Sequence, residues 1–265
     1  VEVYPQGQLG DEKSAIEQVQ FGGIDFTLVS ISPLSDFQPL LNALQMPYLY
    51  RDADHMWKVL NGEIGDFFLN SMEEKGFVGL VYYDSGARSF YNTKKPIYTV
   101  ADLRGMKIRV QESALMMGLV RSLGAVPTPM AYGDVYSALQ TGVIDGAENN
   151  WPSYDTSSHY EVAKYYSLDE HTRVPEMIVA SKITMDKLSK EDQEIIKRAA
   201  RESQKIQIDS WAEYEKKSEA KVRAAGSQIN KIKDQAEFAA AMAPLYQSML
   251  SDAQREWVEK IKAVR

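Results

Sequence analysis

Residues 107–151, KIRVQESALMMGLVRSLGAVPTPMAYGDVYSALQTGVIDGAENNW, constrain the fold more than any other part of this chain. A short apolar strand, KIRV, carries Arg109 at its end. An amphipathic helix follows over about 112–123, then a Gly-Ala turn and an apolar, proline-containing segment to Ala131. A second helix spans roughly 132–141, and the short strand VIDGA runs into Glu148, Asn149, Asn150 and Trp151. Strand, helix, strand, helix, strand is the rhythm of a parallel α/β unit. Ligands of such units sit beyond the carboxyl ends of the strands, where Arg109 and Asn149 both fall. The two residues are therefore expected to face one pocket.

The rest of the chain extends this unit. VEVYP at residues 1–5 alternates as a strand already inside a domain, so a preceding segment is expected upstream. Asp11 opens a helix with acids in its first turn, stopped by Gly22-Gly23. IDFTLVS is a buried strand ending in hydroxyls, with Ser30 and Ser32 either turn chemistry or pocket lining. LLNALQMPYLY packs a helical turn into a short strand. Helices are expected over 52–61 and 64–75, then the apolar strand FVGLVYY. Arg88 falls in the Gly-containing loop after it, and Thr99 caps a helical turn before KIRV. Residues 167–172, with His171, read as a linker, and MIVAS as another strand. Residues 189–226 are helical throughout, with Ser189 and Asp192 as a capping box and Gly226 as the stop. At about 1.5 Å per residue such a helix exceeds 50 Å, wider than one small domain, and should brace two lobes. SQINKIK and two closing helices complete an acidic α/β chain of two lobes around a cleft.

Composition narrows the function. A net charge of −7 over 265 residues argues against a general nucleic-acid or anionic-membrane binder, which needs a basic footprint. It leaves room for a small anion held by one buried Arg. The absence of cysteine removes thiolate catalysis and Cys-based metal sites. His55, His159 and His171 are scattered with no paired-ligand spacing, so no metal or cofactor is expected. No GxSxG, Walker A or GxGxxG motif occurs, which lowers the case for an enzyme. No apolar run approaches the roughly 20 residues of a membrane span.

Within this frame Arg109 is the sharpest signal, because a guanidinium at the end of an apolar strand needs an anion. From the residues alone that anion is either a ligand carboxylate or a structural Asp or Glu. Glu148, Asn149 and Asn150 either meet a ligand or cap the next helix. Tyr132 and Trp151 either wall a pocket by stacking or belong to the core.

GMKIRVQES, GAVPTPMAYGDVYSALQTGVIDGAEN and HYEVAKYY resemble the solute-binding proteins of TRAP (tripartite ATP-independent periplasmic) transporters. YPQGQLG, GGIDFTLVS, MPYLYRDADH, GARSFYNTKKPI and LSKEDQEIIKRAA extend the likeness over nearly the whole chain. The resemblance implies a non-catalytic periplasmic protein of the two-lobed binding-protein fold, with a central ligand cleft and a long helix crossing both lobes. It divides the chain into a first lobe, 1–85 and 176–212, and a second, 86–175 and 213–265. It implies that Arg109 makes a bidentate contact to a substrate carboxylate, with Arg88 as a second contact and Asn149 fixing the other side. Tyr132 packs on the ligand, Glu112 reads hydroxyls, and Glu176 and Ser30 occupy similar family positions. The family commonly begins with a strand and helix upstream of the VYP segment, and these contribute pocket residues. The implied partners are a small organic anion and the TRAP membrane subunits, the protein itself being a monomer outside the membrane.

Family substrates include sugar acids, C4-dicarboxylates, 2-oxo acids, sialic acid and ectoine. The polar set Gln111, Glu112, Glu148, Asn149 and Asn150 favours a polyhydroxylated monocarboxylate, since nearby acids repel a second carboxylate. A hexuronate such as glucuronate or galacturonate is the expectation. The ligand-sensing half of a signalling receptor and an α/β enzyme are the rival readings.

Overall fold

A computed structural model describes residues 1–265 as two sheets joined by helices. The strands are β1 (Phe26–Ser30), β2 (Phe77–Tyr83), β3 (Ala87–Asn92), β4 (Lys107–Val110), β5 (Val126–Pro129), β6 (Gly146–Asn149), β7 (Tyr165–Arg173), β8 (Glu176–Ser181) and β9 (Gln228–Lys231). A three-stranded sheet has the order β1-β8-β2, with β8 antiparallel to both neighbours. A six-stranded sheet has the order β5-β4-β6-β3-β7-β9. Each sheet anchors one lobe of an α/β fold.

The expected parallel unit is present: β4 lies between β5 and β6 and runs parallel to both. Its crossovers are the helices Ala114–Ser122 and Val135–Gln140. Ser113 caps the first, and Leu115, Met116, Leu119 and Val120 form its buried stripe.

The chain crosses between the sheets three times: from β2 to β3 through Asp84–Gly86, from β7 to β8 through Val174-Pro175, and along the helix Lys190–Ala224. That helix has 35 residues, about 50 Å of rise. On the first lobe, Gln204 Nε2 donates to the Tyr82 carbonyl, and Gln207 bonds both the N–H and the C=O of Asp84. Seventeen residues beyond Gln204, Lys221 meets Asp155 on the second lobe at 2.6 Å, and Val222 joins the core of Tyr91, Tyr154 and Tyr166.

Several local expectations do not hold. Residues 1–5 form no strand: Val1 and Val3 are exposed, and no other strand lies alongside to complete the hydrogen bonding. Pro39–Leu44 is a 3-10 helix and no strand follows it before Tyr50. Arg88 lies inside β3, not in a loop. The supposed linker 167–172 is the middle of β7. The tail has three helices, Gln235–Ala241, Ala243–Met249 and Asp252–Ala263, because Pro244 has no N–H to continue the first. Trp257 stacks on Phe67 at 4.2 Å, while Leu245 packs over Gly118, so residues 213–265 touch the helices of both lobes.

Candidate ligand-binding site

Strand register assembles the centre of the site. Arg109 of β4 pairs with Ala147 of β6, and side chains two residues apart share a face, so Asn149 lies on Arg109's side of the sheet. On the other side of β6, Asn149 pairs with Ser89 of β3, placing Arg88 next to Glu148 and Asn149. The three residues come from segments 21 to 61 positions apart in the chain.

The two arginines differ in what they hold. Arg88, 3% exposed, clamps Glu148 through Nε (2.5 Å) and Nη2 (2.9 Å). Its Nη2 also donates to the Glu148 carbonyl at 2.9 Å, and Nη1 to Asn149 Oδ1 at 3.1 Å. Four of the five guanidinium hydrogens are thereby engaged. Arg109, 2% exposed, donates from Nε (3.0 Å) and Nη2 (2.7 Å) to the single carbonyl oxygen of Met130. It has no carboxylate within ion-pair distance, and its terminal Nη1/Nη2 edge is unoccupied by protein. That edge is the one a carboxylate takes bidentately.

The bond from Arg88 also fixes the orientation of Asn149. Asn149 Oδ1 accepts from Arg88 and from the Asn150 N–H at 2.9 Å, and its carbonyl accepts from Tyr166 OH at 2.8 Å. Its Nδ2 makes no bond within the protein, so the amide presents donors beside Arg109. Tyr132 stands over Arg109, with the guanidinium carbon 5.8 Å from its ring centroid. Its hydroxyl donates to the Ser153 carbonyl and bonds Ser157, which locks the ring in place. Trp151 stacks on Tyr166 at 4.0 Å, behind Asn149. Asn150 caps the next helix by accepting from Ser153 N–H, and holds Ser85 with its amide. Glu112 is half-buried at the end of β4 and makes no ion pair or hydrogen bond.

The first lobe supplies the opposite wall. Ser30, at the end of β1, pairs in register with Glu176 of β8, and its N–H donates to Glu12 Oε1 at 3.1 Å. Burial raises the Glu12 carboxyl, with the Ser30 N–H, Arg109 and Arg88 pulling it back. Glu176 is raised to about 8 by burial and by Glu12. Arg88 feels Glu176, and both arginines feel Glu12, so these acids face the cations of the second lobe.

The charges of the second lobe can be counted. Burial alone would raise Glu148, but Arg88 and His171 hold it ionised at about 2. His171 lies between Asp169 (3.0 Å) and Glu148 (3.2 Å); burial opposes its proton, yet the two acids lift it to about 9. Arg88 with Glu148 and His171 with Asp169 make two neutral pairs. Arg109 is one buried positive charge over, and burial lowers its own pKa. Because Asp169, His171 and Glu148 bond one another, they are not free to act as metal ligands, and no group of His, Asp and Glu has the arrangement of a metal site.

Sequence reasoning passed over Glu12, His171 and Asp169. Glu12 read as a helix-dipole acid; the available signal was that Asp11 already caps that helix, leaving a second acid unexplained.

No helix is long and apolar enough to cross a membrane. Residues 1–252 match the family model described as bacterial extracellular solute-binding protein, family 7. A solute-binding protein of Chromohalobacter salexigens is 41% identical over 250 residues, 94% of this chain and 74% of that protein. A TRAP periplasmic solute-binding protein of a Bradyrhizobium species, in complex with galacturonate, is 48% identical with a TM-score of 0.97, covering 99% of this chain and 88% of that one. Another, from Chromohalobacter salexigens with bound D-glucuronate, is 39% identical with a TM-score of 0.97, covering 100% and 88%. A two-lobed α/β chain with an unpaired buried arginine at its strand ends thus belongs to family 7 of the bacterial extracellular solute-binding proteins, the binding components of TRAP transporters.

Proposed function

We propose that this protein captures a hexuronate, D-glucuronate or D-galacturonate, in the periplasm and delivers it to TRAP membrane subunits without altering it. The observation that carries the reading is the free edge of Arg109, a buried cation with no protein carboxylate. The ligand carboxylate docks on that edge and accepts from Asn149 Nδ2, while Arg88 offers its remaining Nη1 hydrogen and holds Asn149 in the required orientation. Tyr132 covers the carboxylate, and Glu112 takes hydroxyls. Glu148 and Trp151 act from behind, the first by neutralising Arg88 and the second by supporting Tyr166.

The charge count favours one carboxylate. A second would face Glu12 and Glu176, whereas sugar hydroxyls can donate to or accept from these acids in either protonation state. Both solved structures described above hold uronates. A ligand bonded to Arg109 on one lobe and to Ser30, Glu12 and Glu176 on the other stabilises the closed arrangement, and closure is what membrane subunits would recognise.

A thermal-unfolding screen against hexuronates, aldohexoses and C4-dicarboxylates tests the proposal. At a hundred times Kd a ligand stabilises the folded state by about 2.7 kcal/mol, worth roughly 5–10 °C in Tm. Hexuronates should give that shift and neutral hexoses none. A shift from C4-dicarboxylates but not hexuronates would replace the substrate class, and turnover of any sugar acid would revive an enzyme.

A further inference from the structure

We infer that Gln111 sets hydroxyl specificity in this site, its side-chain oxygen accepting the C4 hydroxyl of the bound hexuronate. This rests on the hexuronate reading above and names one contact within it.

Gln111 is 6% exposed, and its Oε1 is fully buried with no hydrogen-bond partner. A buried acceptor without a donor is costly, by the desolvation of a carbonyl-like oxygen, unless something outside the protein meets it. The same amide lies near the Glu12 carboxyl of the opposite lobe and helps hold that acid's charge. Gln111 therefore stands beside the acid of the opposite lobe with its oxygen end unmatched.

Position supplies the rest. Gln111 follows Arg109 by two residues and directly follows β4, so where the extended chain continues past Val110 the two side chains leave the backbone on the same side, their Cα atoms about 6–7 Å apart. A hexuronate whose carboxylate sits on Arg109 places the atoms next to that carboxylate near Gln111. An acceptor needs a donor. The ring oxygen on C5 has no hydrogen, so the first donor along the ring from the carboxylate is the C4 hydroxyl. C4 is also the only centre at which glucuronate and galacturonate differ. An acceptor there distinguishes their hydroxyl directions, and a site built to bond a hydroxyl rejects ligands that lack it.

The test is titration calorimetry of the intact protein and of Gln111→Met against a hexuronate and its 4-deoxy analogue. The wild type should bind the parent about tenfold or more tightly than the 4-deoxy compound. Gln111→Met should lose about tenfold on the parent while binding the 4-deoxy analogue within about twofold of wild type. Equal losses on both ligands, or no penalty for 4-deoxygenation in the wild type, overturns the assignment. The second comparison stands even if the variant does not fold. A wild type that binds no hexuronate at all refutes the functional reading itself, a different outcome from one that binds both compounds equally.

Discussion

Replacing Glu148 by Gln removes one negative charge from a fully buried cluster and leaves Arg88 and His171 facing each other without it. Arg88 loses half of its bidentate clamp, at 2.5 and 2.9 Å, and His171 loses the acceptor at 3.2 Å. Breaking a buried pair by removing one partner costs about 3–5 kcal/mol, chiefly because the other charge stays desolvated. Gln keeps one acceptor oxygen, so about 3 kcal/mol is expected. In a chain of this size that lowers Tm by roughly 6–12 °C. His171 should titrate well below the value near 9 that Asp169 and Glu148 give it in the wild type. Scanning calorimetry with NMR titration of the imidazole measures both effects. The double variant Arg88→Met/Glu148→Leu removes both charges and should be more stable than Glu148→Gln, since well-packed apolar replacement of a buried pair is near neutral. A loss under about 1 kcal/mol in the single variant, or a double variant less stable than Glu148→Gln, would refute the argument that these charges exist as a mutually dependent set.

The remaining expectations concern pH and packing. The folded-state pKa of His171 lies near 9, above its ordinary 6.5, and that of Glu176 near 8, above 4.5. Raised groups stabilise fully below their unfolded values and lose that contribution as pH climbs through the folded ones. Tm should therefore decline from pH 7 to 9.5 in the absence of ligand, and a flat profile would contradict the placement of both. Glu148, depressed to about 2, works in the other sense, its contribution present above 4.5 and lost as pH falls towards 2. Gly146→Ala would drive a Cβ into the Tyr91 carbonyl oxygen, so β6 and β3 must separate. A destabilisation of about 3 kcal/mol in denaturant unfolding is expected, with weakened ligand binding because Asn149 rides on β6.

What the sequence made legible follows from which forces act locally. The unit β4–β6 was readable because β4 is apolar, its first helix carries a cap and a buried stripe, and the parallel rhythm implies the strand ends as a site, although β6 is Gly146–Asn149, three residues later than the VIDGA stretch suggested. Strand register then brings Arg109 and Asn149 onto one face, as the chain order suggested. The long helix was readable from its Ser189 cap and uninterrupted polar helix formers, and it does contact both lobes. The expected capping box is only half formed, because the Asp192 carboxylate takes the Ser189 hydroxyl instead of its N–H. β7 was not readable, because Ser167, Asp169 and His171 alternate as polar residues and yet are buried. Their burial is compensated by Glu148, Asn230 and the Phe90 N–H, which lie on other strands or at their ends. The pairing of Arg88 with Glu148, 60 residues away, is likewise invisible to spacing, so Arg88 read as a loop residue when it is a strand residue with a buried partner. Glu12 needed the opposite lobe in place before its role showed.

The most direct test of the account is titration calorimetry of a hexuronate against the wild type and Arg109→Met. The wild type should bind one equivalent. The variant keeps the methylene stem but loses the free guanidinium edge beside Asn149, and should bind at least about 100-fold more weakly while retaining the wild-type melting profile without ligand. A folded Arg109→Met protein with near-wild-type affinity would contradict the central claim that this one unpaired cation anchors the carboxylate.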